Sequence, residues 1–168
     1  MIFVTVGTHE QQFNRLVQAV DHLKKNGNIK DDVYIQTGFS TYVPQYCDYS
    51  KFLGYESVND FVQNSDIIVT HGGPASFMNA ISKKKKPIVV PRLSRFQEHV
   101  NDHQLYFAKK YIEVATKEDF YLVEDINDLN RLIQEELHRN SSDNIVSESR
   151  EHSIFVEKFS TIIEELMK

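Results

Sequence analysis

A single cysteine, Cys47, excludes an intramolecular disulfide and fits a reducing compartment. No histidine or helix start stands near it in sequence to activate the thiol, so Cys47 reads as a packing residue. No stretch reaches the roughly 18–20 consecutive apolar residues of a membrane span. The first residues, MIFVTVG, lack the basic start and small-residue cleavage site of a signal peptide and read as a first strand. Together these absences make the cytoplasm the expected location. Positive charge is also short: 19 Lys and Arg stand against 24 Asp and Glu, a formal net charge of −5. Nucleic acid is therefore not an expected partner. No internal repeat occurs. A chain of 168 residues, 40% hydrophobic and 26% charged, makes one soluble core and hardly two.

Several chemistries are excluded by missing motifs. There is no G-x-x-x-x-G-K-[ST], which argues against a P-loop NTPase, and no G-x-G-x-x-G after the first strand, which argues against a nicotinamide enzyme. No serine sits in a G-x-S-x-G elbow. His99 and His103 are four residues apart, a spacing that can hold zinc on one helix face. No third ligand is spaced plausibly nearby, and neither H-E-x-x-H nor paired cysteines occur, so no metal is expected. Lys83 to Lys86 is a run that can attract phosphate or an anionic membrane; a solvated turn between helix and strand is the preferred reading.

What is present centres on Asp66 to Gln104, DIIVTHGGPASFMNAISKKKKPIVVPRLSRFQEHVNDHQ. Ile67-Ile68-Val69 and Ile88-Val89-Val90 are β-branched runs of the kind that form strands buried on both faces of a parallel sheet. His71-Gly72-Gly73-Pro74 closes the first of them, and Ala75 to Ser82 is long enough for a short helix. Glycine lets a ligand approach the backbone, and Pro74 can occupy the first helical turn without wasting an N–H. A helix start facing the carboxyl end of a strand is a natural anion site. The second strand ends at Pro91 and is followed by Glu98, His99, Asn101, Asp102, His103 and Gln104.

Along the rest of the chain, Ile2 to Val6 is expected as a strand stopped by Gly7. Gln11 to Lys25 is a helix, with Phe13, Leu16, Val17, Val20 and Leu23 at helical spacing. Asp32 to Thr37 is a strand ended by Gly38, and Phe39 to Ser50 is a loop. Phe52 to Tyr55 is a candidate short strand before a helix carrying Val58, Phe61 and Val62. Val100, Leu105, Ala108 and Tyr111 mark a helix, Ile112 to Ala115 a further strand, and Asn127 to His138 a helix. Residues 140–152 read as a polar linker. Residues 153–168 read as an amphipathic helix with Phe155, Phe159, Ile162, Ile163 and Leu166 on one stripe, packing on its own core or on another surface. Alternation at this interval predicts an α/β fold, a doubly wound, Rossmann-like parallel sheet in a single domain spanning 1–168.

In such sheets ligands sit outside the carboxyl ends of the strands. Three polar turns fall on that edge: Gly7 to Gln11, Thr70 to Ser76, and Arg92 to Gln104. The first supplies a glycine, a hydroxyl and His9. The second supplies His71, two glycines and Ser76. The third supplies acid, amide and imidazole groups suited to hydroxyls, and together they suggest a nucleotide with something attached.

HGGPASFMNAI, then P-I-V-V-P and EHVNDHQ, together with VGTHEQQFNRL at the start, resemble the nucleotide-sugar-binding half of two-domain GT-B glycosyltransferases, specifically the glycosyltransferase family 28 C-terminal domain. The likeness spans roughly Met1 to Tyr111. It is strongest to capsule and exopolysaccharide enzymes that work as a split pair, and the eukaryotic dolichol-linked UDP-GlcNAc transferase is divided the same way. The resemblance implies a UDP-sugar donor of the galactose, glucuronic acid or GlcNAc class and a lipid-linked saccharide acceptor. It also implies a membrane-anchored subunit carrying the acceptor lobe, which would recruit this chain to the inner face of the membrane. No cofactor is implied beyond the donor itself.

For the site, the resemblance implies that Gly72, Gly73 and Ser76 line the diphosphate with His71 beside them, and that Gly7, Thr8 and His9 face the same phosphates. Glu98, Asp102, His103 and Gln104 fall in the polar tract that contacts sugar and phosphate. Tyr55 falls where uracil is read through the backbone. Asn79 stands where many relatives carry an acid on the ribose hydroxyls, and an amide can still accept and donate there. His71 and His9 are the candidates for assisting the reaction, with His9 the nearest candidate base. The competing class is a nucleotide-sugar-binding or regulatory subunit without turnover of its own.

Overall fold

The computed structural model describes residues 1–114 and 119–143. Of the expected linker over 140–152, residues 140–143 continue the preceding helix. The remainder of that linker and the helix expected over 153–168 lie outside the described residues.

Strands and helices alternate in the order β1 (Ile2–Thr5), α1 (Asn14–Lys25), β2 (Val33–Gln36), β3 (Asp48–Ser50), α2 (Tyr55–Asn64), β4 (Ile67–His71), α3 (Pro74–Ser82), β5 (Ile88–Val90), α4 (His103–Val114), β6 (Tyr121–Leu122) and α5 (Leu129–Asp143). All six strands pair in parallel in the order β3-β2-β1-β4-β5-β6. This is a doubly wound sheet whose order reverses between β1 and β4, where Val4 pairs with Val69 and Thr5 with Thr70.

The β-branched runs do what their composition implies. Alternate residues of one strand enter opposite layers: Ile2 and Val4 pack with Leu16, Val17 and Val20 of α1 and Leu129, Leu132 and Ile133 of α5. Phe3 packs with Val62 of α2 and Ala80 of α3 on the other face. A second cluster there joins Phe77 of α3 to Phe107 and Tyr111 of α4. The fully buried Val, Leu, Ile and Phe side chains among these contribute about 1.5–3 kcal/mol each relative to exposure.

Several boundaries differ from the sequence reading. Helix α1 begins at Asn14 rather than Gln11, because the carbonyls of Gln11 and Gln12 are taken by the Arg92 guanidinium. Within the expected loop, Asp48–Ser50 forms β3, while Phe52 to Tyr55 is not a strand: Gly54 caps α2, which starts at Tyr55. Ile112 to Val114 belongs to α4, where Ile112 and Val114 pack against the Phe77 cluster, and the last strand is Tyr121–Leu122. Val100 lies before α4 and is 77% exposed.

The long β2–β3 connection is fastened to α1 by Asp21. This buried carboxylate accepts from Tyr42 Oη at 2.7 Å and from the N–H groups of Gln45 and Tyr46 at 3.0 and 2.8 Å. Burial works to raise its pKa, but these donors outweigh it and hold the carboxyl below its ordinary value. Cys47 nearby is pushed up to about 12, first by burial and then by the Asp21 charge, so the thiol is inert. Three lysines of the run Lys83 to Lys86 are likewise engaged within the protein. Lys83 Nζ donates to the carbonyl and side chain of Asn59 (2.9 and 3.0 Å), Lys85 Nζ to the carbonyl of Ser65 (2.9 Å), and Lys86 lies 4.1 Å over the Tyr121 ring.

Candidate functional site

Parallel pairing puts the segments after β1, β4 and β5 on one edge, at the point where the strand order reverses. Side-chain contacts then join the three turns pairwise. The His71 imidazole lies between the first and second. Gly7 has φ +73, and a Cβ on it would stand 2.6 Å from His71 Cε1 and Nε2; a Cβ on Gly73 would stand 2.4 Å from Nε2. Only hydrogen fits at either position, so the two turns close on the ring from both sides. A Cβ on Gly72 would meet Gln104 Cβ at 2.8 Å, which seats the second turn against the third. His9 stacks on His99, ring centroids 4.5 Å apart, and joins the first turn to the third.

The second turn opens α3. Gly73 is its N-cap, Pro74 its first residue, and no side chain caps it. The Ser76 N–H turns back to Gly73 O at 3.0 Å, and the half-buried Ser76 side chain sits in this first turn. An uncapped helix start carries partial positive charge and favours an anion. Gly7 contributes space rather than a donor: its N–H goes to Thr5 Oγ1 at 3.2 Å, and Thr5 donates to Gln36 Oε1 at 2.6 Å in the layer beneath. Thr8 is exposed beside it.

His71 is a neutral base. Its Nδ1 is shut off from solvent and has no hydrogen-bond partner. Burial drives its pKa down to about 4, the Arg92 charge adds to this, and the Thr5 backbone works against both. At neutral pH it offers a phosphate no positive charge.

The third turn is held by two arginines and an acid. Glu98 is fully buried and accepts a two-point bond from Arg15, Nε to Oε1 at 2.9 Å and Nη2 to Oε2 at 2.8 Å; Oε2 also accepts from the Leu93 N–H at 3.0 Å. Glu98, expected in the tract that contacts sugar and phosphate, has both oxygens engaged by groups of the protein itself. Asp102 is partly engaged, with Oδ1 accepting from the Ser94 N–H at 2.7 Å, the main reason its pKa lies below the ordinary value. Gln104 Oε1 accepts from the Arg92 N–H at 3.0 Å. A backbone N–H only donates, so the amide orientation is fixed and Nε2 is the end left to a ligand. His103 opens α4 and is exposed, its ring 6.2 Å from that of His99. His99 precedes the helix, so the two rings do not share a helical face. Among the described residues no three His, Cys, Asp or Glu side chains are grouped to hold a metal ion.

His9 Nε2 lies 2.9 Å from Gln11 Oε1, and Gln11 Nε2 donates to Gln97 O at 3.4 Å. With the amide so turned, His9 carries its proton on Nε2 and its lone pair on Nδ1. Two expected residues stand apart. Asn79, in the second turn of α3, donates Nδ2 to Asn59 Oδ1 at 3.0 Å, which leaves its oxygen as the available end. Tyr55 is 81% exposed at the start of α2. A cavity of about 290 Å³ near Met1, Asp60, Phe61 and Asn64 opens by the amino end of β1, away from the three turns.

Sequence reasoning missed Arg92 and Arg15. The available signal for Arg92 was a charged residue one proline past a buried strand, in I-V-V-P-R-L, a position where a cation must find partners.

These features define a doubly wound α/β domain with its polar turns gathered at the switch point and a bare helix start among them. Residues 1–166 match the glycosyltransferase family 28 C-terminal domain, and the chain belongs to that family. It is also 29% identical over 118 residues to the human UDP-N-acetylglucosamine transferase subunit ALG13, an alignment covering 65% of this chain. The aligned part is 10% of that much longer relative. Among the described residues no helix is long and apolar enough to cross a membrane.

Proposed function

We propose that this chain is the donor-binding subunit of a two-chain glycosyltransferase that moves a sugar from a UDP-sugar to a lipid-linked saccharide in capsule or exopolysaccharide synthesis. The observation that carries this reading is the uncapped start of α3 beside Gly72 and Gly73, against which the first and third turns close. The diphosphate would bind there, Gln104 Nε2 and Asp102 would meet the sugar, and Asn79 would offer its oxygen to the ribose. Tyr55 would flank uracil.

In the reaction, the acceptor oxygen attacks the anomeric carbon as the bond from that carbon to the β-phosphate oxygen breaks. UDP leaves with the electron pair, and the acceptor hydroxyl loses its proton. Negative charge grows on the β-phosphate, where helix N–H groups act as fixed donors. His71 contributes shape and a neutral surface, not charge. His9 Nδ1 is the nearest base on this chain for the acceptor proton. The acceptor lobe would come from a membrane-anchored partner, which would bring this chain to the inner membrane face. The word subunit in the relative's name supports a division of this kind.

Thermal denaturation with added ligands tests the reading. UDP and a UDP-sugar should stabilise the protein, by about 2.7 kcal/mol at a hundred times the dissociation constant, while NAD and ATP should not. Chelator should leave the shift intact; a shift that requires zinc favours a metal site instead. Transfer activity should appear only with the partner chain present. Binding without transfer in the reconstituted pair would favour a regulatory subunit.

A further inference from the structure

Among the described residues Arg92 is the largest side chain with no solvent exposure, although it stands just past β5, after Pro91, at the ligand edge. Burying a cation is costly unless its donors are met. No carboxylate forms an ion pair with it among the described residues; backbone carbonyls meet its two Nη atoms instead, while Nε is buried without a hydrogen-bond partner. Nη2 donates to Val6 O at 2.7 Å, and Nη1 to Gln11 O at 2.8 Å, Gln12 O at 3.1 Å and Glu98 O at 3.1 Å. The Phe13 ring lies 4.8 Å from its Cζ. Burial lowers its pKa to about 10, which leaves it charged at neutral pH.

Three of these carbonyls flank or lie in the turn after β1 and one lies in the turn after β5. None belongs to the turn that opens α3. We propose that Arg92 is a positioning residue: its planar fork clamps the first turn to the third and so sets the distance between His9 and the Gln104 side of the cleft. A point-like ammonium cannot span acceptors so arranged, whereas a guanidinium can. The Arg15–Glu98 pair also links α1 to the third turn, so loss of the Arg92 fork should leave the fold standing and loosen only the two turns. The ligand consequence rests on the reading of the site given above, with diphosphate on α3 and sugar at Gln104 and Asp102 of the third turn.

The test uses the full chain with Arg92→Met and Arg92→Lys. Backbone amide exchange, which needs no ligand, should rise together in residues 8–13 and 94–102 and stay unchanged in 72–76. A rise in one turn alone, in all three, or in none overturns the clamp. In titrations with UDP, UDP-N-acetylglucosamine, UDP-galactose and UDP-glucuronic acid, the sugar nucleotide that the wild type binds most tightly should weaken about tenfold, roughly 1.4 kcal/mol. UDP itself should stay within about twofold, since its diphosphate contacts lie on α3. Equal losses for both ligands overturn the proposal, because general destabilisation does not separate them. A wild type that binds none of these ligands overturns the site reading and leaves the exchange experiment to decide the clamp. Should Arg92→Met not fold, Arg92→Lys, which keeps charge and most of the volume, carries both measurements.

Discussion

The backbone N–H of Arg92 donates to Gln104 Oε1 at 3.0 Å, across twelve residues, and this bond decides how Gln104 meets a ligand. The amide presents a donor and not an acceptor. Its position in the first turn of α4, against Gly72, gives that donor a fixed origin.

Gln104→Ala should therefore weaken a UDP-sugar by about 0.5–1.5 kcal/mol, one hydrogen bond. Gln104→Glu should weaken it further, because a carboxylate replaces the donor and repels the diphosphate, and added salt should relieve that extra loss. Titration calorimetry at two ionic strengths separates the two effects. A Gln104→Glu variant that binds as well as the wild type would show that Nε2 is not a ligand contact.

Glu98 leads to the opposite expectation. Breaking a buried ion pair by removing one partner costs about 3–5 kcal/mol, so Glu98→Ala should lower the urea midpoint strongly. Sugar-nucleotide affinity of the protein that remains folded should change little, since neither oxygen faces the cleft. Removing Arg15 together with Glu98, as Arg15→Met with Glu98→Leu, should cost less than Glu98→Ala alone. Selective loss of UDP-sugar affinity in Glu98→Ala at unchanged stability would return Glu98 to the ligand.

The contrast between these residues marks what a sequence discloses. The central strands were legible because a strand buried on both faces must be a run of β-branched residues, as in Ile67 to Val69. Strands β3 and β6 were not, being two or three residues long, β3 mostly exposed and β6 half-buried, so neither a run nor an alternation was required of them. The polar turns were legible through their glycines and clustered side chains. The task of each side chain was not, because Glu98 is paired 83 positions away and Arg92 bonds a carbonyl 86 positions away. Local pattern carries no trace of such partners.

Gly73 and His71 should be energetically coupled. A Cβ at Gly73 meets the imidazole at 2.4 Å and not the open cleft, so a branched residue there acts first on His71. Gly73→Ala should destabilise by about 1–3 kcal/mol through overpacking. In the His71→Ala background the same change should cost much less, a coupling read from a double-mutant cycle in urea. Additive costs would mean that the ring can swing aside at no expense.

The last prediction is the pH dependence that His71 imposes. Its pKa falls from 6.5 to about 4 in the folded protein. Between those values the unfolded chain binds the proton and the folded one does not, so unfolding takes up protons and stability falls as pH falls. Above 6.5 both states are neutral and the effect vanishes; below about 4 both are protonated and the loss is complete. The steepest slope for one group is about 1.4 kcal/mol per pH unit. Asp21 and Asp102, whose pKa values lie below the ordinary 3.8, lose their contribution only at lower pH and stay outside this window. Urea midpoints measured from pH 7.5 down to 4.5 should decline through the window in the wild type and decline less in His71→Asn, which keeps only the share of His99, whose pKa is also lowered, first by burial and then by the His9 charge. An equal decline in both proteins would assign the acid sensitivity to other groups and show that His71 is not held neutral by its burial between Gly7 and Gly73.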